Sequence, residues 1–540
     1  MSGQPTPIER LVATAGPAEP RALAALLDRL AAADLLAGPI GAATAEQRVL
    51  GVTEDSREAG GGRLFVAVPG FHVDGRDFAT RAAASGAAVA IVEHEVPGLG
   101  IPQVLVRDAR RALAAAAAWW YGDPSRELGV VGITGTDGKT TTSFLAAAAL
   151  EATGLRAGLI GTVETRVGGL RERHEAHVTT PGAPELQATL AAMHAAGDDV
   201  AVVETTSHAL ELGRVLGIAY DAAIFTNLTH EHLELHGTFE RYREAKMRLF
   251  TALAAGPANP AKSVGGRPWP KAAVVNADDP SRAWFERAAE DAGARIVRYG
   301  WSADADVRAT AADEDASRLH VAYTAPSGGA ELDLLLAGRF NVHNALAVVA
   351  LGEALGLPPG RVRAGLVSVP GVPGRMERIA EGQPFSVIVD YAHSPASLQG
   401  VLEILAPVAA AGGGGLIAVF GSGGERDTAK RAAMGRIAGE RCRLVVAADE
   451  DPRGEDGAAI VAEIVAGAVG AGRREGVDVL GIPNRRAAIA AALERARPGD
   501  VVLLAGKGHE PTILYASGAI PWDEAAVARE TLAAMGFRGA

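Results

Sequence analysis

A glycine-rich segment that follows a short apolar stretch is the part of the sequence with the clearest chemical meaning. Residues 130–134 are apolar enough for a buried strand, and residues 135–142 read Gly-Thr-Asp-Gly-Lys-Thr-Thr-Thr. Glycines let backbone amides converge on phosphate oxygens, a lysine brings a mobile positive charge, and a hydroxyl can complete a magnesium shell. We predict a phosphate-binding loop with Lys139 as its cation and Thr140 as a metal ligand. The loop departs from the strict Walker pattern, which requires glycine where this chain has Ile133.

Two polar clusters follow later apolar stretches, at residues 204–210 and 226–237. In doubly wound sheets, ligands bind beyond the carboxyl ends of the strands, so a glutamate at one strand end and a histidine at another can reach one metal ion. Oxygen-rich ligation with few imidazoles suits Mg²⁺ better than Zn²⁺. We predict Glu204 and His232 as metal ligands.

The rest of the chain indicates how these segments are positioned. Short apolar strands alternate with helical stretches, which is typical of α/β domains with parallel sheets. The turn-forming residues 122–125 (Gly-Asp-Pro-Ser) mark one boundary, and new core strands begin after position 370. We predict a small N-terminal α/β domain at residues 1–125, a central doubly wound, parallel-sheet domain with the phosphate loop at 126–369, and a C-terminal Rossmann-like α/β domain at 370–540.

The individual elements predicted from the pattern are short. Residues 1–45 should form one or two helices, and the segments 255–270 and 412–415 should be loops, because they are rich in Gly or Pro. The predicted strands are 64–68, 87–92, 103–106, 130–133, 201–203, 222–225, 272–275, 387–389, 417–420, 444–447 and 501–504.

Bulk composition excludes several classes of protein. With 48% hydrophobic and 21% charged residues, the 540-residue chain has the composition of a folded globular protein of several domains. The net charge of -12, without a basic stripe, argues against nucleic acid as a partner. A single cysteine, Cys442, permits no internal disulfide, and no apolar run reaches the roughly 20 residues of a membrane span. We expect a cytoplasmic location and no membrane partner; nothing in the sequence indicates an oligomeric state.

The phosphate loop resembles the Thr-Gly-Thr-Asn-Gly-Lys-Thr loop of the Mur ligases, with Asp137 in place of the asparagine. The cluster at 226–237 is similar to the family's Thr-Asn-Leu-Thr-Arg-Asp-His-Leu-Asp-Tyr-His-Gly segment, with His230 and Glu231 as departures. Residues 242–250 resemble the segment whose lysine is carbamylated to form an anionic ligand, which in this chain is Lys246.

Further blocks match the family in order along nearly the whole chain, from Asp55 to Glu510. The positions that the resemblance assigns to catalysis are Lys139, Glu204, His232, Lys246 and Arg375. Those assigned to ATP are Gly135, Thr136, Asp137, Gly138, Lys139, Thr140, Thr141, Asn276, Asn341, Asn344, Arg375 and Asp390. Those assigned to the UDP-muramoyl dipeptide are Ser56, Arg57, Thr179, Thr180, Thr206, Ser207, Arg214 and Lys246. Those assigned to the acceptor amino acid are Arg426, Glu450, Asp451, Arg453, Gly506 and Glu510, and those assigned to Mg²⁺ are Thr140, Glu204, His232 and Lys246.

The resemblance implies an ATP- and Mg²⁺-dependent amide ligase of peptidoglycan synthesis. Its N-terminal domain would bind UDP, its central domain ATP and its C-terminal domain the acceptor. It would add a diamino acid to UDP-N-acetylmuramoyl-L-Ala-D-Glu through an acyl phosphate. The alternatives are a sister ligase that adds a D-alanyl dipeptide or extends folate with glutamate, and a P-loop phosphotransferase, which the departure at Ile133 disfavours.

The identity of the diamino acid depends on residues 450–453, Glu-Asp-Pro-Arg. Members of the family that use meso-diaminopimelate typically carry Asp-Asn-Pro-Arg, whose arginine pairs with the distal carboxylate of the acceptor. Arg453 is retained here, whereas Asp451 replaces the asparagine. An added carboxylate favours a side-chain ammonium over a side-chain carboxylate, so we expect lysine or ornithine to gain over meso-diaminopimelate.

Overall fold

The fold is described from a computed structural model of the chain. The structure describes residues 5–70, 73–173, 178–229, 233–254, 262–264, 266–314, 318–336, 338–425 and 427–539. Among these residues, no helix has both the length and the apolar character needed to cross a membrane.

The N-terminal part is built on a four-stranded parallel sheet in the order β3-β4-β5-β6. The strands of this part are β1 (Arg21–Ala22), β2 (Arg48–Val49), β3 (Val52–Thr53), β4 (Leu64–Val66), β5 (Val89–Val92) and β6 (Gln103–Leu105), of which β1 and β2 pair with each other outside the four-stranded sheet. Its helices are α1 (Pro7–Thr14), α2 (Ala24–Ala32), α3 (Ala42–Ala45), α4 (Ala79–Ala84) and α5 (Ala109–Trp120). The side chain of Asp108 caps α5 by accepting a hydrogen bond from the Arg111 amide, which satisfies an amide left unpaired at the helix start.

The central part contains an eleven-stranded sheet. The strands of the central part are β7 (Gly129–Thr134), β8 (Ala157–Ile160), β9 (Glu164–Val167), β10 (Leu170–Arg173), β11 (Val200–Glu204), β12 (Ala222–Phe225), β13 (Ser263–Val264), β14 (Arg267–Pro268), β15 (Ala272–Asn276), β16 (Arg295–Gly300), β17 (Val307–Glu314), β18 (Leu319–Ala325) and β19 (Gly328–Leu334). Strands β13 and β14 form a separate two-stranded hairpin inside the segment 255–270 that was predicted to be a loop, and the other eleven strands form the large sheet. Its helices are α6 (Lys139–Ala152), α7 (Ala183–Ala195), α8 (Ser207–Glu211), α9 (Leu233–His236), α10 (Phe239–Thr251), α11 (Arg282–Asp291), α12 (Asn341–Leu355) and α13 (Pro359–Ser368).

The order of the central sheet is β10-β9-β8-β11-β7-β12-β15-β16-β17-β18-β19. In this sheet order, all neighbouring strands from β8 through β11, β7, β12, β15 and β16 to β17 run parallel, as predicted. Antiparallel strands extend both edges: β9 and β10 beside β8, and β18 and β19 beside β17. The sequence interpretation missed these hairpins because it relied on continuous apolar runs. In β17 and β18 buried and exposed residues largely alternate, which is the pattern of a sheet with one face in water.

Helix α1 lies against the central part rather than against the N-terminal sheet. The side chain of Ile8 is buried in the same apolar cluster as Leu186 and Leu190 of α7. The Ile8 amide donates a hydrogen bond of 2.7 Å to Glu172 in the edge strand β10, and the Thr6 hydroxyl donates one of 2.5 Å to the same carboxylate. The first helix is therefore tied to the edge of the large sheet.

The C-terminal part has a six-stranded sheet in the order β20-β21-β25-β22-β23-β24, parallel except for the edge strand β20. The strands of this part are β20 (Glu377–Ile379), β21 (Ser386–Asp390), β22 (Leu416–Phe420), β23 (Leu444–Ala447), β24 (Val479–Gly481), β25 (Val501–Ala505), β26 (Thr512–Tyr515) and β27 (Gly518–Pro521), of which β26 and β27 form a separate antiparallel hairpin. Its helices are α14 (Pro395–Ala411), α15 (Ala429–Arg441), α16 (Gly457–Gly470), α17 (Arg485–Glu494) and α18 (Glu524–Ala534).

Every strand predicted from the sequence is present, with ends that differ by at most two residues. The predicted loop at 412–415 separates α14 from β22. The boundaries at 125/126 and 369/370 stay predictions; they fall between α5 and β7 and between α13 and β20.

The single cysteine lies in the apolar core of the C-terminal sheet. Cys442 is fully buried, and burial raises the pKa of its thiol to about 12. Because only the thiolate is a good nucleophile, we expect the native protein to resist alkylation by iodoacetamide at pH 8.5, and the denatured protein to be labelled once. Mass spectrometry of both samples measures this, and rapid labelling of native protein would contradict the buried position.

Candidate active site

The predicted phosphate loop joins the end of β7 to the start of α6. Helix α6 begins at Lys139, so its first amides point toward the loop, and Gly138 has a φ of 81°. A Cβ atom at Gly135 would lie 1.8 Å from the hydroxyl oxygen of Thr226, which explains the glycine at that position. The Lys139 ammonium donates hydrogen bonds to the carbonyls of Gly135 (2.9 Å) and Thr136 (2.7 Å).

Residues that follow β12 hold the loop in place. The Asn227 side chain accepts a hydrogen bond from the Asp137 amide (2.9 Å) and donates to the Asp137 carbonyl (3.2 Å). The Asp137 carboxylate itself is exposed. The Asn276 amide group donates to the Thr226 carbonyl (2.6 Å), so this predicted ATP residue supports the segment after β12.

A fully buried carboxylate lies beside the loop, at the end of β11. Glu204 accepts hydrogen bonds from the hydroxyls of Thr140 (2.9 Å), Ser143 (3.2 Å) and Thr162 (2.8 Å). No ion pair joins this carboxylate to a lysine or arginine within the part of the chain that the structure describes. The cluster is therefore a negative charge surrounded by neutral oxygen groups.

The same cluster reaches the segment predicted to contact the muramoyl dipeptide. The Thr162 hydroxyl lies 3.1 Å from that of Thr179, and the Thr180 hydroxyl donates to the Glu204 carbonyl (2.8 Å). Thr206 lies 3.2 Å from Thr180 through their hydroxyls, and Arg214 donates to the Thr180 carbonyl (2.9 Å). The structure thus brings together, next to the phosphate loop, five residues predicted to contact the UDP-muramoyl dipeptide: Thr179, Thr180, Thr206, Arg214 and Ser207, which starts α8.

A pocket of about 290 Å³ opens between the N-terminal and central parts, beside Arg214. Its charged lining also contains Arg110 of α5 and the carboxylates of Glu54 and Glu185, which the sequence interpretation did not identify. Burial raises the pKa of both carboxyl groups and lowers that of the Arg214 guanidinium. The pocket therefore brings two guanidinium groups and two carboxyl groups together at the boundary between the N-terminal and central parts.

Ser56 and Arg57, the two N-terminal residues predicted to contact the UDP-muramoyl dipeptide, have different environments. Ser56 is buried, and its hydroxyl accepts hydrogen bonds from the guanidinium of Arg81 (2.6 and 2.9 Å). Arg57 is exposed and pairs with Asp55, and this pairing lowers the pKa of the Asp55 carboxyl to about 2. Of the two, only Ser56 has a position fixed by buried contacts.

Two of the residues predicted to bind ATP, Asn341 and Asn344, lie in the first turn of α12. Both are buried, and the Asn344 amide group donates to the side-chain oxygen of Asn341 (2.8 Å). The side-chain oxygen of Asn344 accepts from the Thr142 hydroxyl (3.2 Å) and would lie 2.4 Å from a Cβ at Gly138. They lie directly against the phosphate loop, although part of their hydrogen-bonding capacity is used within the protein.

Arg375 follows the central part and lies over the ring of Tyr391, with its guanidinium carbon 4.9 Å from the ring centroid. Its Nε atom is buried without a hydrogen-bond partner in the described structure. Asp390 accepts hydrogen bonds from the amides of Met376 and Ala392. Burial raises the pKa of its carboxyl, against the opposing effect of Arg375.

The predicted acceptor residues that the structure describes meet at the carboxyl ends of β23 and β25. Asp451 and Glu510 both accept hydrogen bonds from the Lys507 ammonium, at 2.8 and 2.5 Å. Glu450 is buried against Gly506, and burial raises the pKa of its carboxyl. Arg453 adopts a left-handed backbone conformation (φ of 56°).

Lys507 was not among the predicted site residues, although it lies in the Gly-Lys-Gly-His-Glu segment that indicated this region. Because Lys507 already neutralises Asp451, the structure weakens the reason for expecting a basic acceptor. Two predicted residues, His232 and Arg426, lie outside the described residues. Lys246 is buried, and its ammonium donates to the Gly135 carbonyl (2.6 Å), so this side chain reaches the phosphate loop.

Comparison with known proteins shows the family of the chain. The sequence model of the Mur ligase middle domain matches residues 133–352, that of the Mur ligase glutamate ligase domain matches residues 374–508, and that of the Mur ligase family catalytic domain matches residues 48–121. The UDP-N-acetylmuramyl-tripeptide synthetase of Roseiflexus sp. (strain RS-1) is 49% identical over 91% of this chain and 96% of its own length. The chain belongs to the Mur ligase family. As a Mur ligase, it is an ATP-dependent amide-forming ligase with the three-domain α/β fold of that family.

Two further Mur ligases are similar over almost the whole chain. The UDP-N-acetylmuramoyl-L-alanyl-D-glutamate–2,6-diaminopimelate ligase of Bacillus velezensis is 40% identical over 92% of this chain and 96% of its own length. A solved structure of a ligase with the same name is 28% identical, with a TM-score of 0.64, and the match covers 96% of this chain and 100% of that one. The similarity therefore extends through all three domains.

Proposed function

We propose that this Mur ligase joins a diamino acid to UDP-N-acetylmuramoyl-L-alanyl-D-glutamate during peptidoglycan synthesis. The observation that carries the proposal is the continuous set of hydrogen bonds from Thr140 in the phosphate loop, through Glu204 and Thr162, to Thr179 in the muramoyl segment. Transfer of a phosphoryl group between two ligands requires that their sites adjoin in this way. Since ATP and UDP-linked sugars are cytoplasmic metabolites, we propose a cytoplasmic location.

The reaction divides into two steps. A carboxylate oxygen of the dipeptide attacks the γ-phosphorus of ATP, the bond to the β-phosphate oxygen breaks, and ADP leaves. The free amine of the diamino acid then attacks the carbonyl carbon of the acyl phosphate. Phosphate leaves, the amine loses a proton, and an amide bond remains. ATP hydrolysis is thereby coupled to formation of a bond that would otherwise be unfavourable in water.

The residues of the chain would act mainly by positioning and by stabilising charge. The amides of residues 135–140 and the Lys139 ammonium would hold the phosphates at the start of α6. Arg375, which the family resemblance also assigns to ATP, would place its planar guanidinium on phosphate oxygens. Domain closure would bring the acceptor residues onto the activated carboxylate.

The residues around Glu204 fit a divalent cation. A buried carboxylate without a cationic partner is costly, and three hydroxyl oxygens within hydrogen-bonding distance provide the oxygen-rich surroundings that Mg²⁺ prefers. We propose that Glu204 and Thr140 hold Mg²⁺, with His232 and a carbamylated Lys246 completing the set. When bound, Mg²⁺ would offset the negative charge on the phosphates.

For the acceptor we propose meso-diaminopimelate. The Asp451 carboxylate is paired with Lys507 and with the Leu514 amide, whereas the Nε atom of Arg453 is buried without a described partner and suits a distal carboxylate. The similarity to ligases named for 2,6-diaminopimelate supports this choice. A second candidate is lysine or ornithine, which the replacement of the usual asparagine by Asp451 favours.

The proposal is tested by phosphate release from ATP with purified protein. We expect release only when UDP-N-acetylmuramoyl-L-Ala-D-Glu and a diamino acid are both present, and a tripeptide product by mass spectrometry. Parallel assays with meso-diaminopimelate, lysine and ornithine should give the highest kcat/KM with meso-diaminopimelate. Phosphate release that does not depend on the dipeptide substrate would refute the ligase reaction.

The aspartate in the phosphate loop should weaken nucleotide binding. Asp137 places an exposed carboxylate next to the loop that would receive a triphosphate. Because water and salt screen exposed charges, we expect Asp137→Asn to lower the KM for ATP only about two- to fivefold, with little change in kcat. Steady-state kinetics at two salt concentrations measure the effect, which should shrink at the higher one. An increase in the KM would contradict this account.

A further inference from the structure

Lys507 is a fully buried lysine in the C-terminal part, directly after β25. Its ammonium lies between two carboxylates, 2.8 Å from an oxygen of Asp451 and 2.5 Å from an oxygen of Glu510. The same Asp451 oxygen also accepts a hydrogen bond from the Leu514 amide (2.9 Å). One buried cation therefore serves both carboxylates predicted to face the acceptor amino acid.

These contacts continue toward the predicted ATP site. The second carboxylate oxygen of Glu510 accepts a hydrogen bond from the Tyr391 hydroxyl (3.1 Å), and the ring of Tyr391 lies under the Arg375 guanidinium. Lys507 thus stands in a chain of side chains that runs from Asp451 at the acceptor end to Arg375 at the phosphate end. Removing the positive charge of Lys507 would change the electrostatic field at the acceptor residues first, because both ion pairs of Lys507 are with those residues.

The charge balance determines what the acceptor end can bind. A buried carboxylate without a cation attracts any ammonium group that can reach it, whereas a paired carboxylate offers much less. With Lys507 in place, its ammonium pairs with both Asp451 and Glu510 and offsets one of their two negative charges, and the Arg453 guanidinium is left to meet a carboxylate of the acceptor. Without it, the same surface would carry two uncompensated negative charges.

We propose that Lys507 is a positioning residue that sets acceptor specificity: by pairing with both Asp451 and Glu510 and offsetting one of their two negative charges, it makes the site select a distal carboxylate over a distal ammonium. This inference rests on the proposed function. It attributes the preference to a residue that need not touch the acceptor. It also explains how Asp451 can replace the family's asparagine without reversing the charge of the site.

The test compares kcat/KM for meso-diaminopimelate and for lysine in the full-length protein. In Lys507→Met we expect the ratio of the two values to fall at least about tenfold, through a higher KM for meso-diaminopimelate and a lower one for lysine, with the KM for ATP little changed. Lys507→Arg keeps the charge and should recover much of the ratio. Adding Asp451→Asn to Lys507→Met removes one freed carboxylate and should move the ratio back toward wild type.

Controls separate specificity from folding. Lys271→Met serves as the matched lysine variant, because Lys271 pairs with Asp221 just before β15, at the end of that sheet opposite the phosphate loop. Thermal unfolding establishes that each variant is folded, and Lys507→Gln, which retains a hydrogen-bond donor, replaces Lys507→Met if the latter does not fold. A folded, active variant whose ratio stays within about twofold of wild type overturns the inference, as does a wild-type preference for lysine. Wild-type protein that is inactive with every diamino acid refutes the proposed function instead.

Discussion

Replacing Lys139 with methionine should lower kcat about 10³-fold, which corresponds to about 4 kcal/mol of transition-state stabilisation. The Lys139 ammonium lies at the start of α6 and bonds to two carbonyls of the phosphate loop, so it is held where charge would move from the γ-phosphate to the leaving ADP. Methionine preserves the length and apolar stem of the side chain but removes this cation. Phosphate release in the complete reaction mixture measures the loss.

The matched control for Lys139→Met is Lys271→Met, a partly buried lysine at the opposite end of the same sheet. This control should retain kcat, since its ammonium pairs with Asp221, which Lys262 also contacts. Both proteins should unfold at temperatures close to wild type. A folded Lys139→Met variant with more than about a tenth of the wild-type kcat would show that the loop lysine contributes little to phosphoryl transfer.

Glu204→Gln should lower activity about 10²-fold and raise the Mg²⁺ concentration needed for half-maximal rate about 10- to 100-fold. Glutamine has almost the same shape and can still accept hydrogen bonds from the hydroxyls of Thr140 and Thr162, but it lacks the negative charge. Because Glu204 has no described cationic partner, the neutral variant should be at least as stable as wild type when Mg²⁺ is absent. A Mg²⁺ titration of the rate and thermal unfolding with and without Mg²⁺ test both parts.

The control for Glu204→Gln is Asp198→Asn. Asp198 is a buried carboxylate two residues before β11, and it accepts a hydrogen bond from the Gly168 amide (2.9 Å). Glu204 lies at the other end of the same strand. Asp198→Asn should leave the Mg²⁺ concentration needed for half-maximal rate unchanged, since Asp198 lies at the end of the sheet opposite Glu204. An unaltered Mg²⁺ titration in Glu204→Gln would mean that this carboxylate does not hold the metal.

Much of the fold could be predicted from local patterns. A short apolar run followed by a glycine loop and a helix determines its own structure, because the strand must be buried and the glycines permit the turn. The strand at 129–134 and the helix that begins at Lys139 illustrate this. The same reasoning placed Glu204 at a strand end, where parallel topology gathers ligand-binding residues.

Other features could not be predicted because they depend on partners that are distant in sequence. Asn341 and Asn344 were predicted to bind ATP, yet they bond to each other, and Asn344 also bonds to Thr142 of α6, 202 residues earlier. The edge hairpins β9–β10 and β17–β19 were missed, since their polar and charged residues interrupt the continuous apolar runs that indicate a core strand. The pocket residue Arg110 precedes the central domain and meets Arg214 only when the two parts pack together.

The sequence by itself therefore determined the family, the phosphate loop and the ends of the core strands, because each of these depends on residues that are neighbours along the chain. The tertiary structure decided how the charged side chains are paired. Asp451 appeared from the sequence to be a carboxylate available to a basic acceptor, whereas folding brings Lys507, 56 residues later, to within 2.8 Å of it. A buried charged group that is already paired attracts a ligand of opposite charge less strongly, and the local sequence does not indicate which side chain will pair with it.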